Sequence, residues 1–371
     1  MTYHGVFVDD EDDVFAEQLS THGQLEIEFL AVQEPTALAR AIRDKQPMLV
    51  ALDYRLDEAP AGLPADQTFK GSALAQHLRD ASIEAPERDF AIVLVSAEDK
   101  IRTLFQPDQT AHDLFDRVYV KDQINDQRRT VRRELLSLCA AYDCLRHKQG
   151  HYDLAELMSA EPDDRHAIDI QALTLHLAEA KAPHLAVKLI LNKLIDRPGP
   201  LLDLDDVCAH LGVSLESGLK LAEVLESHRA NYRGLFGDAW PRWWSHRVEA
   251  FALEVFSTRA TGLAASERAR LLTERFGSRF EAAISPWSGS EDELVAIACA
   301  SCRRGIEMRH SVAAFEADLP RFARRRRICW DCVQTDRYLQ AAPALVIDEI
   351  DASLAHEVRG RARPDNQNRE D

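Results

Sequence analysis

Gly5-Val6-Phe7-Val8-Asp9-Asp10 is a short apolar run that stops on two acids. A run of this length, with no helical spacing, reads as a buried strand. The figure recurs downstream. Met48-Leu49-Val50-Ala51-Leu52 stops on Asp53, the run from Phe90 to Val95 stops on Ser96, and Val118-Tyr119-Val120 stops on Lys121. Leu25-Glu26-Ile27-Glu28-Phe29 alternates with period two and reads as one more strand. Between these runs, apolar residues fall at helical spacing over 13–22, 35–45, 71–82 and around 99–105. After Asp126, a stripe of Val131, Leu135, Leu138, Tyr142 and Leu145 marks a longer helix. Five strands each followed by a helix predict an α/β fold, a (βα)5 doubly wound parallel sheet with helices on both faces. Ligands of such sheets bind outside the carboxyl ends of the strands. Asp9, Asp10, Asp53, Ser96 and Lys121 all fall there.

That edge gathers three carboxylates, a hydroxyl and an ammonium. Crowded carboxylates repel one another and call for a countercharge. Mg²⁺, which takes a few carboxylate oxygens and keeps several waters, suits the set. Lys121 adds a second positive charge. A carboxylate held beside both can attack phosphorus, because the developing oxyanion charge is neutralised. Asp12 and Asp13 read instead as acids at a helix start, favoured by the helix dipole.

Residues 1–148 resemble the receiver family of response regulators. The residues that carry the resemblance are Val8-Asp9-Asp10, Leu52-Asp53, Val95-Ser96-Ala97 and Val120-Lys121. It implies that Asp9 and Asp10 hold Mg²⁺. It also implies that Asp53 is both metal ligand and phosphoacceptor, and that the backbone carbonyl of Arg55 is a further ligand. Ser96 would bond the phosphoryl group and Lys121 would pair with it. The implied donor is a histidine kinase or a phosphotransfer protein. The chain departs from the family in three places. Asp122 follows the lysine where proline is usual. Val118 stands where the family has its switch aromatic, with Tyr119 on the opposite side of the strand. An insertion lies at about 57–68, next to the acceptor.

The remaining chain reads as a linker over 149–167, a helical domain over 168–297 broken by Arg197-Pro198-Gly199-Pro200, a zinc-binding segment over 298–340, and a C-terminal helix with a disordered tail over 341–371. Cys299-Ala-Ser-Cys302 and Cys329-Trp-Asp-Cys332 form two CxxC turns. Each can grip one side of a tetrahedral ion, so the quartet predicts a closed, structural Zn²⁺ site. His310 between them reads as a surface residue, and Cys139, Cys144 and Cys208 as core. Residues 299–332 hold eight arginines against four acids. A nucleic-acid contact through the arginine-rich 303–327 stretch is one reading, and a solvated or protein-docking face is the other.

The net charge is −17 at pH 7, which disfavours general binding to nucleic acid or anionic membrane. No long apolar run or secretory leader is present, and seven cysteines without a leader point to the cytoplasm. Residues 202–217 resemble a helix-turn-helix around Leu211-Gly212-Val213-Ser214. The second helix would offer Glu216, Ser217, Lys220 and Glu223, a poor set for touching DNA. Trp240, Trp243, Trp244 and Phe236 read as core or interface. There is no P-loop, nucleophile elbow, dinucleotide fingerprint or HExxH motif, so no enzymatic output is expected. The reading is a response-regulator-like protein controlling a zinc-stabilised helical region through an unidentified protein target. The alternatives are a DNA-binding regulator and a receiver-based adaptor that works without phosphorylation.

Overall fold

The computed structural model describes residues 2–11, 13–58, 68–108, 110–148, 150–168, 171–341 and 344–363. Asp12 and most of the expected insertion therefore lie outside the described residues. The chain forms two compact units. One comprises Met1–Ala160, Ile170–Leu191 and Arg233–Trp240; the other comprises Glu161–Asp169, Asn192–Tyr232 and Pro241–Asp371.

The first unit is built on a parallel sheet of β1 (Tyr3–Asp9), β2 (Leu25–Ala31), β3 (Leu49–Leu52), β4 (Ala91–Ser96) and β5 (Arg117–Val120). The strand order is β2-β1-β3-β4-β5. In register, Val8 stands beside Leu52, Leu52 beside Leu94, and Ser96 beside Val120. The central strands β3 and β4 are buried along their whole length, as strands covered on both faces by helices must be. The helices are α1 (Val14–Leu19), α2 (Pro35–Asp44), α3 (Gly71–Glu84), α4 (Glu98–Lys100) and α5 (Lys121–His147). Glu34 starts α2, its carboxylate accepting from the amides of Thr36 at 3.0 Å and Ala37 at 2.8 Å, with Pro35 in the first turn. The helix expected around 99–105 is α-helical only to Lys100. It then widens into one broad turn, closed by Gln106 N on Ile101 O at 2.8 Å. α5 starts at Lys121, directly on the end of β5, and not near Asp126. Asp122, in place of proline, lies in its first turn.

A buried polar network ties the far ends of these elements together. Arg79 of α3 pairs with Asp116 at 3.0 Å and with Asp89 at 3.5 Å, and donates to the Tyr142 hydroxyl of α5 at 3.2 Å. Asp89 also accepts from the amide and the Nδ1 of His184, at 2.7 and 2.8 Å. Part of the stretch expected to link domains is folded here: α6 (Leu154–Leu157) starts on Asp153, whose side chain accepts from Glu156 N. α7 (Gln171–Glu179) and α8 (Pro183–Ile190) complete this unit. Cys139 is buried, but Cys144 is exposed, contrary to the expectation of a core residue, because its place on α5 faces away from the sheet.

In the second unit, β6 (Leu201–Leu202) pairs antiparallel with β7 (Trp243–Trp244), and α9 (Leu204–Leu211), α10 (Gly218–Ser227), α11 (Ser245–Phe256) and α12 (Ala265–Phe276) pack around Val207, Leu211, Leu221, Phe251 and Leu272. α9 ends on Gly212 at φ +71°, the left-handed cap that favours glycine. Gly218 is small for a packing reason: a Cβ there would lie 3.2 Å from Leu204. A second core holds Trp287, Cys299, Ile306, Ile328, Trp330, Val333 and Val358. It is framed by the paired strands β8 (Ile297–Ala298) and β9 (Gly305–Ile306), by β10 (Ser311–Ala313) and β11 (Arg327–Cys329), and by α13 (Trp330–Gln334) and α14 (Ala352–Arg359). In residues 360–363, at the start of the tail expected to be disordered, Arg361 lies 5.1 Å over the Trp330 ring and Arg363 pairs with Asp331. Residues 364–371 lie outside the described residues. Among the described residues, no helix is long and apolar enough to cross a membrane.

Candidate functional site

The sheet edge assembles as the strand endings predict. Asp9 closes β1, Asp53 follows β3, Ser96 closes β4 and Lys121 follows β5. Asp9, Asp53 and Ser96 are buried, and carboxylate oxygens of Asp9, Asp10 and Asp53 lie within 4.8 Å of one another. Lys121 Nζ donates to Asp9 and stands 3.6 Å from Asp53 Oδ1, which has no hydrogen bond. Burial pushes the Asp53 carboxyl above its ordinary range, against the pull of Lys121 and the Ser96 hydroxyl. Asp9 adds to the rise, and Lys100 opposes it. A buried, partly unsatisfied carboxylate among two others is a donor set that fits a hard divalent cation. The backbone of Arg55 is also at hand, its amide lying 3.3 Å from Asp53 Oδ2.

Three features of this edge escape the sequence. Lys100 Nζ stands 3.8 Å from Asp53 Oδ2 and also pairs with Glu58 and Glu11. Glu58 donates its amide to Asp10 Oδ2 at 2.8 Å, so the start of the insertion is tied to the acids. Gly71 opens α3 against the backbone of Asp53, where a Cβ would fall 2.0 Å from the carbonyl oxygen. At the switch position, Val118 is exposed. Tyr119 faces the other way and is buried, its hydroxyl pushed far up by burial and then by Glu134 of α5.

Parallel order β2-β1-β3-β4-β5, with acids after β1 and β3, a hydroxyl after β4 and a lysine after β5, is decisive.

The described residues between 2 and 148 have the receiver fold.

Solved structures similar to this chain include a signal receiver domain, that of NarL from Mycobacterium tuberculosis. It is 20% identical, covering 38% of this chain and 97% of that one, with a TM-score of 0.28. A LuxR-family two-component response regulator from Aurantimonas sp. SI85-9A1 is 13% identical, covering 40% of this chain and 86% of that one, at 0.25. The Legionella pneumophila response regulator LqsR is 15% identical, covering 48% and 53%, at 0.28. No family model matches the sequence, and no curated protein matches it.

The four cysteines of the second unit also converge. Their sulfurs lie within 4.8 Å of one another, with Cys299–Cys332 at 4.0 Å and Cys302–Cys329 at 3.9 Å. Thiolates about 2.3 Å from one tetrahedral ion stand roughly 3.8 Å apart, so the quartet has the spacing of a metal centre. Amide donors support it: Cys329 N lies 3.3 Å from Cys299 Sγ, and Cys332 N lies 3.4 Å from Cys329 Sγ. Hydrogen bonds from Cys299, then from Cys329 and Cys332, hold the Cys302 thiol far below its usual range. His310 is not the surface residue expected. It is partly buried, its ring 5.0 Å from that of Trp330 and 6.3 Å from that of Trp287.

Most of the arginine run is engaged inside its own unit. Arg326 and Arg197 both reach the buried Glu316, Arg325 pairs with Asp348, Arg327 with Asp351, and Arg303 with Asp203 and Asp205. α9 and α10 do form a helix, a glycine turn and a second helix, but α10 exposes Leu219, Lys220, Glu223 and Glu226.

Proposed function

We propose that the chain is a response-regulator-like signalling protein whose Asp53 accepts a phosphoryl group from a histidine kinase or a phosphotransfer partner. The supporting observation is the convergence of Asp9, Asp10 and Asp53 at one sheet edge, with Lys121 bridging Asp9 and Asp53. Mg²⁺ held by Asp9, Asp10, Asp53 and the Arg55 carbonyl would supply the countercharge that the phosphoryl oxygens require. Asp53 supplies the attacking oxygen, and its position after β3 aims it at the open end of the sheet. Lys121 and Lys100 flank it and stabilise the added charge. The buried Ser96 hydroxyl, without a well-formed hydrogen bond, is placed to receive a phosphoryl oxygen. With Val118 at the switch position, the added charge is read through β4, β5 and the α4 turn, and not through an aromatic flip.

The second unit is the output region, and its role is binding, not catalysis. Zn²⁺ on Cys299, Cys302, Cys329 and Cys332 would hold the 287–358 core together as a closed, structural site. With most of the arginine run engaged internally, a protein target fits this unit better than nucleic acid.

Incubation of the full chain with acetyl phosphate and Mg²⁺, read by intact mass, tests the proposal. One hydrolytically labile phosphoryl group is expected on the native chain and none on Asp53→Ala. A native chain that stays unmodified while Mg²⁺ binds would overturn phosphotransfer and leave a docking receiver.

A further inference from the structure

Glu307 follows β9 and leads into the single turn Met308–His310. It is 2% exposed, and neither of its carboxylate oxygens has a hydrogen-bond partner. An ionised carboxylate in that position is costly unless a positive charge stands beside it. Arg309, the neighbouring cation, turns to Glu293 instead. His310 Nδ1 is 3.4 Å from Glu307 Oε2, and that nitrogen is itself buried without a hydrogen bond. One ligand atom from each of Glu293, Glu307 and His310 fits within a 4.8 Å span.

We propose that Glu293, Glu307 and His310 form a second divalent-metal site, separate from the cysteine quartet. Ligand atoms around one Zn²⁺ at about 2.1 Å stand roughly 3–4 Å apart, so a pair at the 4.8 Å limit needs to close by about 1–2 Å. One imidazole with two carboxylates excludes the thiophilic ions and is a poor set for Ca²⁺ or Mg²⁺, which take oxygen alone. Zn²⁺ is the ion of the class that this set suits. The ligands come from braced backbone. Ala265 N at the start of α12 donates to Glu293 O at 3.0 Å, and Ser266 N donates to Glu291 O at 2.9 Å. The His310 ring lies against Trp330, which sits between Cys329 and Cys332, so the two centres share one wall. Three protein ligands leave a coordination position open to water or to a carboxylate or phosphate of a partner, unlike the closed four-sulfur site.

Metal counting on the full chain tests this. All chains carry Asp10→Asn, so that no ion at the sheet edge is counted. They are loaded with Co²⁺, dialysed, and read by elemental analysis and visible absorption. Two ions per chain are expected, one with thiolate charge-transfer bands and one without. Glu307→Gln should retain the thiolate bands and hold one ion. If Glu307→Gln fails to fold, His310→Gln and Glu293→Gln are read in its place, with the same expectation. A parent chain whose only bound ion shows thiolate bands overturns the proposal, as does a folded variant that still holds two.

Discussion

Lys100 stands 3.8 Å from Asp53, so the candidate acceptor is flanked by two ammonium groups, Lys100 from the α4 turn and Lys121 from the end of β5. Lys100 divides its charge between Asp53 and the two glutamates, Glu58 and Glu11. A phosphoryl group on Asp53 would draw it inward. Lys100→Ala should therefore slow phosphorylation by acetyl phosphate about 5–30-fold, equivalent to about 1–2 kcal/mol of charge stabilisation at this partly screened position. Stopped-flow or quenched-flow rates check it, and an unchanged rate would show Lys100 to be a bystander.

Gly71 is required by its contact with the acceptor strand. With the Cβ of an alanine 2.0 Å from the Asp53 carbonyl, either α3 or the backbone of Asp53 must move. Overpacking of this kind costs about 1–3 kcal/mol. Gly71→Ala should lower the urea midpoint of the first unit and also weaken divalent-cation binding. Gly262, with open space around its Cα and no left-handed backbone, is the control for the added methyl itself. Cation affinity unaltered in Gly71→Ala would separate the glycine from the site.

The raised carboxyl of Asp53 sets a pH dependence. The folded chain binds this proton more tightly than the unfolded chain, chiefly because of burial. Its contribution to stability is thus complete below about pH 4, the ordinary aspartate value, and is lost as pH rises through the folded value. At pH 7 without divalent cations, the Asp53 charge opposes folding. Asp53→Asn should raise the melting temperature at pH 7 and change it less at pH 4. A variant that melts lower than the native chain at pH 7 would contradict this account of the pocket.

Arg79 makes a different prediction, one of architecture alone. Its removal leaves Asp89 and Asp116 buried with a lost countercharge. Arg79→Met should cost about 3–5 kcal/mol, the usual range for breaking a buried pair from one side. Chemical denaturation followed by fluorescence gives the number, and a loss under about 1 kcal/mol would mean that His184 alone satisfies Asp89.

What the sequence shows and what it hides differ for physical reasons. The strands and the site at their ends are legible because each apolar run stops on a reactive residue, and sheet geometry converts that into a shared edge. The cysteine quartet is legible because two CxxC spacings determine what one ion can bind. Lys100 and Gly71 are hidden because their relation to Asp53 exists only after β3, β4 and α3 pack. The arginine run reads as a free basic patch because Asp348 and Asp351, with Asp203 and Asp205, come from other stretches of chain. Glu293 reaches Glu307 and His310 by the same folding, and nothing in its local sequence announces it. The wide turn at 101–105 keeps its apolar spacing while changing its hydrogen bonding, so periodicity alone reads it as an ordinary helix.

The most direct test of phosphotransfer is the position of the modified residue. Borohydride reduction after incubation with acetyl phosphate and Mg²⁺ converts an aspartyl phosphate to homoserine, and peptide mapping then locates it. Conversion at Asp53, abolished when Mg²⁺ is withheld, is the predicted result. Conversion at Asp9 or Asp10, or at no carboxylate, would contradict it.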